Sequence, residues 1–191
     1  GMNQRLTKPF TWDDARRYDR GKVMSAEDLD AGKEFGRYLD VDGDGIAYRT
    51  TPGTHPTKGG FFTRGTTKDR YARYSEEGSV YVDNVQRLLR KFETAKALVP
   101  QPVRRQSDKK TRFGAIYYGS TSPAMAEAIE ALEAAGIALD TLRLRAFPFS
   151  EAVNDFIAEH DQLFVVEQNR DAQLRTLLLS ELNVDSAKLM P

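Results

Sequence analysis

Cysteine is absent from the 191 residues. That excludes a disulfide framework, a thiol nucleophile and iron–sulfur ligation by this chain. Histidine is nearly absent: His55 and His160 are the only two, too few for a histidine-based metal centre. Each reads as a loop or helix-end residue rather than a catalyst. No apolar run approaches the roughly 18 residues that span a bilayer, and the N-terminal stretch has no secretory apolar segment. Basic and acidic side chains balance at 28 each, so no charge excess argues for nucleic acid or an anionic membrane as partner. These absences fit a cytoplasmic protein. No Ser/His/Asp set, catalytic carboxylate pair or metal-ligand spacing can be assembled, so the chain alone reads as catalytically incompetent.

What is present is organised around Arg112–Gln168. Phe113-Gly114-Ala115-Ile116-Tyr117-Tyr118 is a short aromatic-rich apolar run and reads as a buried strand. Ser122 and Pro123 suit a helix start, Met125, Ile129 and Leu132 recur at helical spacing, and Gly136 stands where a left-handed cap is wanted. A second strand is expected within Leu139–Phe147 and a second helix over Ser150–Glu159, carrying Val153, Phe156 and Ile157. Leu163–Val166 reads as a third strand, and Leu174, Leu177 and Leu178 mark a third helix. Alternation at these spacings predicts a small open parallel α/β sheet with crossover helices over residues 111–191. A further strand is expected near Ala187, and the sheet reads as cut short at its C-terminal side.

Residues 1–78 are different in kind. Aromatics are plentiful, aliphatics sparse, and Asp40–Gly65 is crowded with Gly, Pro, Thr and Asp. A disordered tail would be poor in aromatics, so this stretch reads as an irregular arm that packs on a neighbouring domain or subunit. Ser25-Ala26-Glu27-Asp28 marks one short helix within it. Residues 79–110 read as an amphipathic helix followed by a charged linker, the helix running from Ser79 to Val99 with Tyr81, Val85, Leu88, Leu89, Phe92, Ala95 and Val99 on its apolar face. Pro100 and Pro102 end it, and the stretch from Arg104 to Lys110 reads as a charged linker.

Three motifs carry chemical interest. Asp40-Val41-Asp42-Gly43-Asp44-Gly45 imitates the first half of a calcium loop, but position twelve is Thr51 instead of the bidentate Glu. Losing that ligand removes two of the roughly 6–8 oxygens calcium requires, so the motif reads as a turn. Gly119, Ser120 and Thr121 join a strand end to a helix start, a place suited to an anion. Without a second glycine or a phosphate-loop lysine, a capped turn is the stronger reading of that motif. Glu167, Asn169, Arg170 and Gln173 follow the third strand as a polar cluster that suits either a ligand or, better, a subunit interface. A stand-alone α/β module holding a phosphate-bearing ligand at Gly119–Ser122 remains the alternative.

Several blocks resemble the alpha subunit of 2-oxoglutarate:ferredoxin oxidoreductase. They are Phe35–Ile46, Arg49-Thr50, Pro52–Pro56, Phe61–Thr66, Tyr117–Thr121, Arg145–Phe149 and Val165–Arg170. The resemblance implies the C-terminal region of that subunit, with a fold similar to the C-terminal domain of transketolases. It implies a complex that converts a 2-oxoacid and coenzyme A into acyl-CoA, CO2 and reduced ferredoxin. Thiamine diphosphate, Mg and an iron–sulfur cluster would belong to the full complex and none to this chain alone. The partners implied are the beta subunit, the thiamine domain of the same subunit, and ferredoxin. None of the family's thiamine motif falls on residues present here, so no catalytic residue is carried over. This region is then expected to brace the complex.

Overall fold

The computed structural model describes Pro9 and residues 11–191. They divide into two compact units, one ending at Ala95 and the other running from Lys96 to Pro191.

The second unit holds a five-stranded sheet in the order β1-β3-β2-β4-β5. The strands are β1 Val103–Arg105, β2 Phe113–Tyr118, β3 Asp140–Leu144, β4 Gln162–Val166 and β5 Leu189–Met190. β2 pairs in parallel with both β3 and β4, Ile116 lying level with Leu142 on one side and Val165 on the other. β5 extends the parallel set beside β4, while β1 runs antiparallel along β3. The helices are α3 Ser122–Ala134, α4 Glu151–Glu159 and α5 Gln173–Glu181.

Two cores lie on opposite faces of this sheet. One joins Ile116, Leu142, Leu144, Val165 and Leu189 to Val153, Phe156 and Ile157 of α4 and Leu174 and Leu178 of α5. The other joins Ala115 and Tyr117 to Met125 and Ile129 of α3. Burying each large aliphatic or aromatic side chain contributes roughly 1.5–3 kcal/mol, so the first core dominates this unit. Gly114 makes it possible: a Cβ there would lie 2.7 Å from the Leu163 side chain and 3.0 Å from the Phe156 ring. α3 closes as its sequence predicts, with Gly136 at φ +76 and the Ile137 amide reaching back to Leu132 O at 2.9 Å.

The edge strands are where pattern reading stops short. β1 comes from the stretch read as a linker, and all three of its side chains are exposed, so it has no apolar alternation to betray it. It is held by backbone pairing and by Arg104 on Glu159 and Arg105 on Glu133. Asp140 anchors the same corner, accepting the Ser107 amide at 2.8 Å and facing His160 Nε2 at 3.1 Å. The His160 Nδ1–H donates to Phe156 O at 2.7 Å, so this histidine ends α4 as a buried structural group.

The first unit is mostly turns. α1, Ala26–Asp30, carries the full capping box expected from Ser25 and Asp28. α2, Gly78–Leu98, is its long helix. Among the described residues of this unit, the buried hydrophobics are Met24, Leu29, Leu39 and Ala72.

α2 is turned the opposite way from its sequence pattern. Its buried residue is Arg87, while Tyr81, Val82, Leu88 and Leu89 are exposed. The polar face is covered instead by the Asp40–Gly45 turn. Arg87 donates to Gly45 O at 2.9 Å, Thr94 to Asp44 O at 2.7 Å and Arg90 to Asp40 at 3.2 Å.

Candidate functional site

The calcium-like turn is occupied from within. Lys22 Nζ stands 2.6 Å from Asp42 Oδ2 and 2.6 Å from Asp44 Oδ2, a fixed ammonium where a bound cation would otherwise be needed. The Lys22 hydrogen bond holds the Asp42 carboxyl below its usual range. Burial works to raise Asp44, but the bonds from Lys22 and the Ile46 amide outweigh it and hold that carboxyl down as well. Burial likewise works to lower Lys22, and its two acidic partners raise it on balance. Among the described residues, no three His, Cys, Asp or Glu side chains converge in a way that could hold a metal ion.

The candidate site lies at the C-terminal edge of the parallel strands, where open α/β sheets bind ligands. A cleft of about 390 Å³ is lined there by Tyr118, Gly119, Leu144, Phe149, Gln173 and Leu177, among others. Three elements build it. β2 delivers Tyr118 and Gly119, the loop after β3 delivers Arg145 to Phe149, and the first turns of α5 close the side. The walls are mainly apolar, with Arg145 and Gln173 among the lining residues. A cleft of this composition takes a flat or apolar body with one polar end.

The residues singled out from sequence separate here. Gly119 and Gln173 are brought together across the cleft. Ser120 is exposed beside it and Thr121 is buried under the turn. Ser122 proves to be the first residue of α3 rather than its cap, and no side chain caps that helix.

Glu167 and Asn169 turn inward onto α5. Glu167 accepts the Leu174 amide at 2.8 Å and the Arg175 amide at 3.1 Å, and Asn169 accepts the Gln173 amide at 3.0 Å. Asn169 also donates to Glu167. The first three amides of α5 are therefore satisfied within the chain, and the positive end of the helix already faces a carboxylate. Arg170 stays at the exposed tip of the turn, 2.6 Å from Asp171. Sequence reasoning missed the Arg145–Phe149 wall and Leu177. A loop between strand and helix at the sheet's binding edge was the available signal for the first; nothing local marks the second.

The parallel sheet with helices on both faces and a cleft at its C-terminal edge defines an open α/β domain. Its fold is shared with 2-oxoglutarate:ferredoxin oxidoreductase from Magnetococcus marinus, a structure with 2-oxoglutarate, coenzyme A and succinyl-CoA bound. The TM-score is 0.70 at 20% sequence identity, over 84% of this chain and 27% of that one. The chain thus spans about a quarter of the length of the protein it matches. The alpha chain of a probable 2-oxoacid ferredoxin oxidoreductase from Thermoplasma acidophilum is similar at 25% identity over 44% of this chain and 74% of that one, with a TM-score of 0.28. No protein-family model matches the chain, and no curated protein matches it. The family that the sequence blocks resemble is also named in the description of the Magnetococcus marinus structure.

Proposed function

We propose that this chain is the noncatalytic docking region of the alpha subunit of a thiamine-dependent 2-oxoacid:ferredoxin oxidoreductase, with 2-oxoglutarate as the oxoacid. The assembled enzyme would work in the cytoplasm and convert 2-oxoglutarate and coenzyme A into acyl-CoA and CO2, passing two electrons to ferredoxin. Two independent routes support the family, the sequence blocks and the shared fold.

The observation that carries the docking role is the imbalance of the first unit. Its described residues bury four hydrophobic side chains while Trp12, Tyr18, Phe61, Phe62, Tyr71 and Tyr74 stand exposed. Exposed aromatics on a segment with so small a core are what a protein interface uses as anchors. Phe62, 80% exposed, is the foremost of them. There is no cysteine for an iron–sulfur cluster. In this reading no step of the chemistry is assigned to this chain; it contributes bracing of the beta subunit and of the thiamine domain.

Co-expression with a beta subunit and the remainder of an alpha subunit tests this. We expect co-purification, coenzyme A-dependent ferredoxin reduction by the assembly, and none by the chain alone. Phe62→Ala should weaken co-purification without unfolding the chain. Failure to assemble with any such partner overturns the reading.

The cleft beside Gly119 supports a second reading, a module that holds a phosphate-bearing ligand there. A ligand present at about 100 times its Kd stabilises its protein by about 2.7 kcal/mol. A rise in thermal midpoint with coenzyme A alone, abolished by Leu177→Trp, would favour this reading over docking.

A further inference from the structure

Cations gather on Tyr38 without a matching set of acids. The Arg37 guanidinium stands 5.4 Å from the centre of its ring, Lys68 Nζ 5.6 Å and the Arg87 guanidinium 5.7 Å. A ring face attracts a cation, but three positive groups on one ring repel one another. Asp40 is the carboxylate close to Arg87, and it is bonded to Arg90 at 3.2 Å. The other acids of this neighbourhood are engaged. Glu34 receives the Tyr71 hydroxyl, Glu76 the Tyr74 hydroxyl, and Asp69 the amides of Tyr71 and Arg73. Asp30 and Asp83 pair with Lys58 and Arg70. Among the described residues, no carboxylate bonds to Arg37, Arg64 or Lys68.

The same cations flank the exposed aromatics. The Arg37 guanidinium lies 5.8 Å from the centre of the Phe61 ring, and Phe35 packs on that ring at 6.1 Å. Phe62 is 80% exposed, Thr63 keeps its hydroxyl buried, and Arg64 stands exposed beyond it. No acid occurs from His55 to Lys68.

We propose that Phe61 and Phe62, ringed by Arg37, Arg64 and Lys68, dock into an apolar pocket rimmed by carboxylates on the partner protein. This assignment rests on the docking role given above and adds the chemistry of the surface that is met. An apolar anchor supplies the affinity of such an interface, and the charged rim selects the partner and speeds the encounter. Carboxylates brought by the partner also relieve the repulsion around Tyr38. Arg37 and Lys68 are half-buried against that ring, so they suit carboxylates held in fixed places better than the mobile headgroups of a membrane. The zero formal charge of the chain adds no general attraction to an anionic bilayer.

The test is the rate and strength with which the chain binds the beta subunit together with the remainder of an alpha subunit. Binding should weaken steeply as salt is raised toward about 1 M, where the screening length falls to about 3 Å. Arg64→Glu should weaken it about tenfold or more, chiefly by slowing association, while Arg64→Lys retains it. Lys110→Glu, the same change of charge on an exposed residue of the second unit, should leave it unchanged. Binding that is indifferent to salt, or weakened equally by Arg64→Glu and Lys110→Glu, overturns this inference and leaves the docking role standing. Absence of binding by the unmodified chain at low salt overturns the docking role and this inference with it. Sedimentation with phosphatidylserine vesicles that Phe62→Ala abolishes assigns the aromatics to a membrane and overturns it as well.

Discussion

Gly45 lies so close to the backbone of Lys91 that a Cβ on it would come within 2.3 Å of the Lys91 amide nitrogen. Its φ of +78 independently disfavours any other residue. The Asp40–Gly45 turn therefore rests on α2 backbone to backbone, with the carbonyl of Gly45 received by Arg87. Gly45→Ala should cost roughly 2–4 kcal/mol, combining backbone strain with displacement of the turn. Urea unfolding of the variant checks this through the midpoint at constant slope. Gly43→Ala is the control. It has a similar φ of +79 but open space around it, so its loss should be clearly smaller.

The Lys22 clasp sets a pH dependence. Asp42 and Asp44 have carboxyls held below their usual values in the folded chain. Groups of that kind stabilise above their unfolded pKa of about 4, and the contribution drains away as pH falls through the lower folded values. Lys22 is raised, so its share is present below about 10.4 and is lost as pH rises through its folded value. Lys22→Met should flatten the fall in stability on the acid side of about pH 4, read as the thermal midpoint from pH 6 to pH 3. With the ammonium already seated between the two carboxylates, millimolar calcium or a chelator should leave the midpoint of the unmodified chain unchanged.

Glu167 tests whether the polar turn after β4 is structural. Its carboxylate receives two α5 amides and the Asn169 side chain. Glu167→Ala should lose about 1–2 kcal/mol, the usual worth of a helix N-cap. An interface residue without a capping role would instead leave the midpoint of the isolated chain unmoved and weaken only assembly. Arg170→Ala, at the exposed tip of the same turn, should leave the midpoint unmoved.

How much of this could be read in advance follows from what each element leaves in the sequence. β2, β4, α3, α4 and α5 are buried on one face or both, so their apolar period announces them, and Gly136 and Ser25 mark ends that bind locally. β5 lies beside Ala187, where a further strand is expected, but β1 is a short edge strand fixed by pairing with β3, a long-range event with no local trace. α2 misleads in the opposite sense. Its apolar stripe is plain, but the pattern does not say which face the chain itself covers, and Gly45 and Arg87 commit the polar face to the Asp40 turn. At the site, Gly119 was legible from its place between strand and helix. Glu167 and Asn169 were legible as polar groups at a turn, but not their direction, which depends on α5 starting at Gln173 after Ala172 enters the left-handed region at φ 50.

The two units should differ sharply when separated. Residues 96–191 contain both cores, from Ile116 and Phe156 on one face of the sheet to Met125 and Ile129 on the other. The first unit has Met24, Leu29, Leu39 and Ala72 as its buried described hydrophobics, and the side-chain ties across its turns include exposed ion pairs such as Arg70–Asp83. Such pairs are worth about 0–1 kcal/mol each, far below the roughly 1–2 kcal/mol per residue that ordering a backbone costs. A fragment of residues 96–191 should therefore unfold cooperatively in urea, with a slope appropriate to a domain of that size. A fragment of residues 11–95 should give low amide dispersion by NMR and no cooperative transition on its own. The docking role predicts one further outcome: residues 11–95 should gain dispersion when the partner that covers their aromatics is added. If residues 11–95 fold alone with sharp, dispersed spectra, the exposed aromatics are not there to await a partner, and the docking role fails on physical grounds.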